Sequence, residues 1–355
     1  MKILVGLSGG VDSAVAAMLL KQAGHEVSGA IMRIWNENNS FRGGAGKGCY
    51  SPDKKEDIES AAQVADRIGI PFRIVDVSRE YEKVVIENFR SEYQSARTPN
   101  PCVRCNSYIK FGAFPALARE MGLEFERFAT GHYVRLRSEQ GRFQLLRASD
   151  PAKDQSYFLY RLTQEQLSGV LFPLGEYRKS EIRAMAAEFG LPVSDRPDSQ
   201  DFYSGDYRDL LQRAGEKGQI VDETGKVVGF HNGFWGYTIG QRRGLGVAAK
   251  HPLYVTSLDP ERNIVYVGPE EMLRKTKMRV TDLCWSGIPA LSAPRDVRIK
   301  VRSMGLGTAG SIRPMEDGSV MVEFYEEQKS PTPGQSAVFY DGDLLLGGGL
   351  IGEAD

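Results

Sequence analysis

A short apolar run over residues 2–7 leads without a break into Ser8-Gly9-Gly10-Val11-Asp12-Ser13, and apolar residues at helical spacing continue to residue 23, just before Gly24. The next segment, residues 26–34, reads as a second strand, so the chain opens with a βαβ unit. The turn between its first strand and helix is chemically specific. Two glycines allow a tight turn and close approach of backbone N–H groups to an anion, Ser8 and Ser13 add hydroxyl donors, and the helix N-terminus favours negative charge. The expected guest is the pyrophosphate portion of a nucleotide. No Gly-Lys-Ser/Thr follows, which excludes the loop of kinases and GTPases, and no Gly-x-Gly-x-x-Gly follows this strand to hold a dinucleotide. Asp12, set among phosphates, is expected to act through a Mg²⁺ ion that neutralises departing pyrophosphate.

The alternation persists through the first part of the chain. Helical stretches are expected over residues 53–68, 79–93 and 108–121, with strands over 72–77 and 125–130. Strands alternating with helices imply a mainly parallel, doubly wound sheet. Beyond residue 206 the texture changes: residues 220–228 and 254–267 each carry a polar turn between β-branched runs and read as hairpins. From residue 272, short runs such as 297–301, 320–324 and 337–340 alternate with Gly and Pro turns, as in a compact β-barrel. The expected fold is α/β plus β, in three domains: residues 1–205, a small β-rich unit over 206–270, and a barrel over 271–355.

A second chemical motif is Thr98-Pro99-Asn100-Pro101-Cys102-Val103-Arg104-Cys105-Asn106. It sets two thiols on a Pro-stiffened loop before a helix. A helix N-terminus and a neighbouring Arg104 are expected to lower a thiol pKa, favouring nucleophilic attack, persulfide formation or metal ligation. A structural zinc would need two further ligands from Cys49, Cys284 and the four histidines. Four cysteines in 355 residues, two of them in one Cys-x-x-Cys, point to a reducing compartment. The apolar stretches near the start are interrupted by Ser, Gly, Asp and Lys, so a cytoplasmic chain without signal peptide or membrane span is expected. Net charge is −1, but between Glu271 and Arg313 nine Lys/Arg face three acids, a local basic bias compatible with a nucleic-acid partner or a solvated face.

Ser-Gly-Gly-x-Asp-Ser after a first strand resembles the PP-loop ATP pyrophosphatases, which split ATP between its α- and β-phosphates to adenylate an oxygen. Further segments sharpen the likeness: Asn100 through Gly112, Ala129-Thr130-Gly131-His132-Tyr133, Lys153-Asp154-Gln155-Ser156-Tyr157, Pro173-Leu174-Gly175, Tyr237 through Leu245, and Thr332-Pro333-Gly334-Gln335. In this order they resemble the tRNA-specific 2-thiouridylases nearly end to end. The resemblance implies a PP-loop domain, a small central domain and a C-terminal β-barrel. It implies adenylation of the C2 carbonyl oxygen of a wobble uridine in the tRNA anticodon loop, then displacement of AMP by sulfur from a donor protein or sulfide. DNA and membranes are not expected partners. By position it implies ATP contacts at Gly6, Leu7, Ser8, Gly9, Gly10, Val11, Asp12, Ser13, Met32 and Gly131. Asn100, Pro101 and Cys102 would face the target base, and His132, Lys153, Asp154, Gln155, Arg302, Ser303 and Gln335 would contact tRNA.

The likeness fails at one place. Many members carry Asp-x-x-Cys in the Asn-Pro loop and a second essential Cys about a hundred residues later. This chain has Cys102 in place of that Asp, and its segment Asp198-Ser199-Gln200-Asp201-Phe202-Tyr203-Ser204 has Tyr203 at the expected Cys. Either Cys102 and Cys105 form the working pair, with Cys105 at the nucleophile position, or they ligate an iron–sulfur cluster with a third ligand from Cys49 or Asp201. Cys284 reads as a core residue. Two rival functions stay open at this point: a PP-loop amidotransferase acting on a small molecule, and a tRNA-binding relative without catalysis.

Overall fold

The computed structural model describes residues 1–35, 48–51, 55–191, 202–203 and 205–355. Strands β1 (Lys2–Gly6), β2 (Glu26–Arg33), β3 (Phe72–Asp76) and β4 (Arg127–Ala129) pair in parallel. A hairpin, β5 (Arg135–Glu139) and β6 (Arg142–Leu146), leaves this sheet, and the two-residue β7 (Val170–Leu171) returns beside β4. The resulting order is β3-β2-β1-β4-β7.

Helices cover both faces because β1 is apolar on both. Ile3 and Val5 pack with α1 (Val11–Gln22), α2 (Lys55–Ile68) and α8 (Lys179–Glu188), while Leu4 points into a second core. Each of these fully buried strand residues contributes about 1.5–3 kcal/mol. Alanines at 14, 16 and 17, all at 0% exposure, let α1 lie close on the sheet. The second core is covered by two interrupted helices. One runs from α3 (Ser78–Tyr81) through a π turn (Glu82–Ile86) into α4 (Glu87–Gln94). The other runs from α5 (Pro101–Arg104) through a π segment (Cys105–Ala113) into α6 (Phe114–Glu120). The helix expected to begin near residue 108 thus begins at Pro101, and both cysteines of the Cys-x-x-Cys lie inside it. A Pro with no N–H to lose suits a first helical position, and Asn100 caps it by accepting from the Val103 amide at 3.2 Å.

After α7 (Gln164–Ser168), α8 and α9 (Tyr207–Leu211), a four-stranded sheet forms from β8 (Gly218–Val221), β9 (Val227–His231), β10 (Tyr254–Asp259) and β11 (Ile264–Gly268) in the order β10-β11-β8-β9. Both expected hairpins are present as antiparallel pairs. The remaining strands are β12 (Arg274–Cys284), β13 (Arg295–Lys300), β14 (Thr308–Pro314), β15 (Val320–Lys329), β16 (Ser336–Asp341) and β17 (Leu344–Ala354). They close into a six-stranded barrel because β12 pairs with both β15 and β17. Inward residues such as Met278, Val280, Ile299, Ile312, Val322 and Phe339 fill it.

The barrel is tied to the parallel-sheet unit. Leu146 of β6 pairs with Leu344 of β17, and Arg161 makes a two-pronged bond to Asp282 at 2.8 and 3.0 Å. The tie holds one barrel edge over the C-terminal ends of the parallel strands.

Candidate active site

The loop after β1 is braced by Ser13. Its buried hydroxyl accepts from the Ser8 amide at 3.1 Å and donates to the Gly10 carbonyl at 3.1 Å, folding the turn back on α1. Gly9 holds φ at 74°, which disfavours any side chain there. The segment 130–133 then lies directly on the first turn of α1: a Cβ at Gly131 would sit 2.7 Å from the Asp12 carbonyl carbon and the Ser13 nitrogen. Only glycine fits.

Asp12 is already engaged. Lys179 Nζ lies 2.7 and 2.8 Å from its two carboxylate oxygens, and the Tyr133 hydroxyl donates to it at 2.7 Å. Lys179 is the first residue of α8, held there by its own amide donating to Asp150 Oδ2 at 3.0 Å. Sequence reading missed both partners, since nothing in the local pattern of α8 marks its lysine as buried. The nearest signal is Pro173-Leu174-Gly175, where a Gly175 Cβ would fall 2.2 Å from the Val134 carbonyl oxygen and so fix the approach to α8.

The thiols behave differently from expectation. Burial pushes the Cys105 thiol up to about 11, Lys110 opposing and Cys49 adding to the rise, so the expected lowering is corrected. Arg104 does not offset it, because its guanidinium turns away to the Val84 carbonyl at 3.1 Å. Burial also raises the Tyr81 phenol well above its usual value, with Cys105, Cys49 and Cys102 contributing in that order. Cys49 is exposed, while Cys102 and Cys105 are half-buried. Among the described residues no group of three His, Cys, Asp or Glu stands close enough to hold a metal ion. Asp201 lies outside the described residues, as do residues 192–200 and 204. Tyr203, at the position of the expected second Cys, is buried and packed at a tilt against Phe202 and Tyr207, its hydroxyl donating to Asp209 at 3.3 Å. Cys284, at the end of β12, is half-buried against the second core rather than within the barrel core, its thiol raised by burial.

One cavity of about 1750 Å³ joins these parts. Residues 6–13, Met32 and Gly131 form one wall, Cys49 and Cys102 another, and Lys153, Asp154, Gln155 and Ser303 a third toward the barrel. His132 lines it too, but is buried against Phe111 and Phe172 and bonded to Thr130 at 2.8 Å; burial holds its pKa well below the usual value, so it is neutral.

Several residues expected to meet a partner also bond within the protein. Asp154 accepts from the Ala148 and Ser156 amides and the Ser156 hydroxyl, with Lys300 at 3.9 Å. Gln155 accepts from the Tyr133 amide at 2.9 Å. Gln335 donates to the Thr98 and Pro99 carbonyls at 3.1 and 2.9 Å, and Thr98 donates to the Pro333 carbonyl at 2.8 Å. The barrel's Thr-Pro-Gly-Gln turn is thus a strut beneath the Asn100–Pro101 corner. Arg302 is exposed just outside the cavity lining, 3.4 Å from Thr332 Oγ1.

The arrangement can do two things in one enclosure: hold a nucleotide's phosphates against α1, and present a thiol to whatever the nucleotide has activated. Three family models match the chain in succession: a tRNA methyl transferase HUP domain over residues 1–203, a tRNA methyl transferase PRC-barrel domain over 209–269, and an aminomethyltransferase beta-barrel domain over 275–351. The tRNA-specific 2-thiouridylase MnmA of Endomicrobium trichonymphae is 49% identical over 356 residues, covering 99% of each chain. That of Geobacter metallireducens is 45% identical, covering 99% of this chain and 97% of its own. Among solved structures, an NMN synthetase from Francisella tularensis aligns over 57% of this chain and 68% of its own at 17% identity, with a TM-score of 0.33, too distant to carry an argument.

Proposed function

The chain belongs to the tRNA-specific 2-thiouridylase family, and from that premise we propose that the cavity between the phosphate loop and the barrel is where a wobble uridine of tRNA is adenylated and then thiolated. It is an ATP-using tRNA sulfurtransferase. The observation that carries the reading is the shared enclosure: the phosphate loop and Cys102 open into the same cavity. The two rival functions have no comparable support, since the full-length likeness is to thiouridylases.

In the first half-reaction the uridine C2 oxygen attacks the α-phosphorus of ATP and pyrophosphate leaves. Loop amides, the N-terminus of α1 and Lys179 receive the developing charge. Asp12 fits Mg²⁺ as a lone protein carboxylate, because that ion is habitually held by one or two carboxylates together with substrate phosphates. Mg²⁺ would supply further charge neutralisation on the phosphates. Binding it requires Asp12 to exchange its Lys179 partner, which frees the lysine for phosphate.

In the second half-reaction the Cys102–Cys105 pair handles sulfur. A donor protein or sulfane source loads a persulfide on one thiol, its terminal sulfur attacks C2, and AMP leaves. The other thiolate then attacks the remaining cysteine sulfur, which releases the 2-thiouridine and leaves a disulfide for an external dithiol to reduce. Cys105 matches the family's nucleophile, yet its raised pKa requires its proton to be withdrawn first. A second reading gives Cys102 and Cys105, with Cys49 or Asp201, to an iron–sulfur cluster, for which thiolates are suitable ligands; among the described residues no three such groups stand close enough to hold an ion, and Asp201 lies outside them. The proposed location is the cytoplasm; among the described residues no helix is long and apolar enough to cross a membrane.

The test is pyrophosphate release with and without unmodified tRNA, followed in Cys102→Ser and Cys105→Ser. Release should require tRNA and persist in both variants while thiolation vanishes. Full thiolation by Cys102→Ser would remove the paired-thiol scheme. Iron and labile sulfide in an anaerobic preparation, lost in Cys49→Ser together with thiolation, would replace that scheme by the cluster.

A further inference from the structure

Met304 and Leu306 are the two most exposed large apolar residues among those described, at 87% and 65%. Both lie in residues 301–307, the loop from β13 to β14, and line the cavity that the phosphate loop and Cys102 also line. Single exposed apolar side chains are ordinary on protein surfaces. A pair on one short loop beside a reaction cavity is not.

The loop is held by its backbone. Arg147 Nη2 donates to the Leu306 carbonyl at 3.2 Å and Arg298 Nη1 to the Gly307 carbonyl at 3.2 Å. Arg147 is itself fixed, its guanidinium 4.0 Å from the Tyr340 ring centroid. Gly307, at φ +85°, sits where a Cβ would meet the Ile299 carbonyl oxygen at 2.8 Å. A fixed turn therefore presents two bare apolar side chains to solvent. Exposed Arg298 and Arg302 flank them. Of the carboxylates on the cavity rim, Asp341 and Asp343 are ion-paired with Arg295 and Arg135, and Asp296 accepts from the Tyr325 hydroxyl. Cations around an apolar pair complement a polyanion with apolar faces, which is what unpaired nucleotides are.

We propose that Met304 and Leu306 form a wedge that enters between neighbouring bases of the tRNA anticodon loop and holds the target uridine unstacked in the cavity; the proposal rests on the tRNA-thiolating reading above. A uridine stacked between neighbours cannot bring its C2 oxygen to an enclosed α-phosphorus. Apolar side chains inserted at a base step compensate the stacking that is lost.

The full-length protein and an anticodon-arm RNA hairpin, with 2-aminopurine beside the target uridine, provide the test. Wild type should raise 2-aminopurine fluorescence several-fold on binding. The Met304→Ser/Leu306→Ser double variant, altered only at exposed positions and checked for an unchanged melting temperature, should bind within about threefold. It should give little fluorescence rise and release pyrophosphate about tenfold more slowly at saturating RNA. Met304→Leu should retain both signals. A double variant with wild-type fluorescence and turnover overturns the wedge. So does one whose only defect is weaker binding with a shallower salt dependence, which would make the loop a plain docking surface. If wild type itself shows no RNA-dependent pyrophosphate release, the thiolation reading has failed and the wedge with it.

Discussion

Replacing Lys179 by methionine isolates the least anticipated feature of the site. The change keeps the length of the side chain but removes the charge facing Asp12 at 2.7 and 2.8 Å. Only the Tyr133 hydroxyl then remains on that carboxylate among the partners described above. Breaking a fully buried ion pair from one side costs about 3–5 kcal/mol. Here the Lys179 side chain is 10% exposed but that of Asp12 is 27%, so water relieves part of the cost and about 2 kcal/mol is expected. For a domain of some 200 residues this lowers Tm by about 4–8 °C. Asp12→Asn combined with Lys179→Met should recover most of that loss, because no uncompensated charge remains. Tyr133 still has an acceptor in the amide oxygen. Adenylation should not recover, because both charges are needed at the phosphates. Scanning calorimetry of wild type, Lys179→Met, Asp12→Asn and the double variant alongside pyrophosphate release provides both readouts. A Lys179→Met variant melting within 1 °C of wild type, or adenylating at full rate, would refute the reasoning.

With its thiol pushed up to about 11, Cys105 should be alkylated by iodoacetamide about tenfold faster per pH unit from 7 to 9, whereas a plateau in that window, seen by peptide mass spectrometry, would contradict its raised pKa. Gln335→Leu removes two bonds to the Thr98 and Pro99 carbonyls, each contributing about 1 kcal/mol, and should slow thiolation more than it weakens tRNA binding. The reverse pattern in filter-binding and turnover assays would return Gln335 to a direct tRNA contact. Arg302, exposed beside the cavity, should act through phosphate: Arg302→Ala should lower the slope of log affinity against log salt by about one, and an unchanged slope would remove that role.

What the sequence makes legible follows from local rules. The first strand, glycine turn and helix are all consequences of near neighbours, and the alternation that follows dictates a parallel sheet. The β5–β6 hairpin escapes notice because its strands are rich in Arg and its turn is Gln140-Gly141, both at positive φ, rather than a familiar Asn-Gly. β7 is two residues long and exists only because β4 offers an edge. The site divides in the same way. The phosphate loop is written in contiguous residues, whereas the Asp12–Lys179 pair spans 167 positions and the Gln335 bonds to the Asn-Pro corner span more than 230, so tertiary packing alone reveals them. The Cys105 thiol is misread from sequence because a helix terminus and a neighbouring Arg are visible there, and burial is not.

The most direct test of the account is nucleoside mass spectrometry of tRNA lacking the wobble thiolation, incubated with the purified protein, ATP, Mg²⁺, a persulfide source and a dithiol reductant. The account predicts 2-thiouridine at the wobble position, with one pyrophosphate and one AMP released per modified nucleoside, and none when Asp12 is replaced by alanine. Pyrophosphate release without tRNA, or sulfur appearing at a position other than C2 of that uridine, would contradict it.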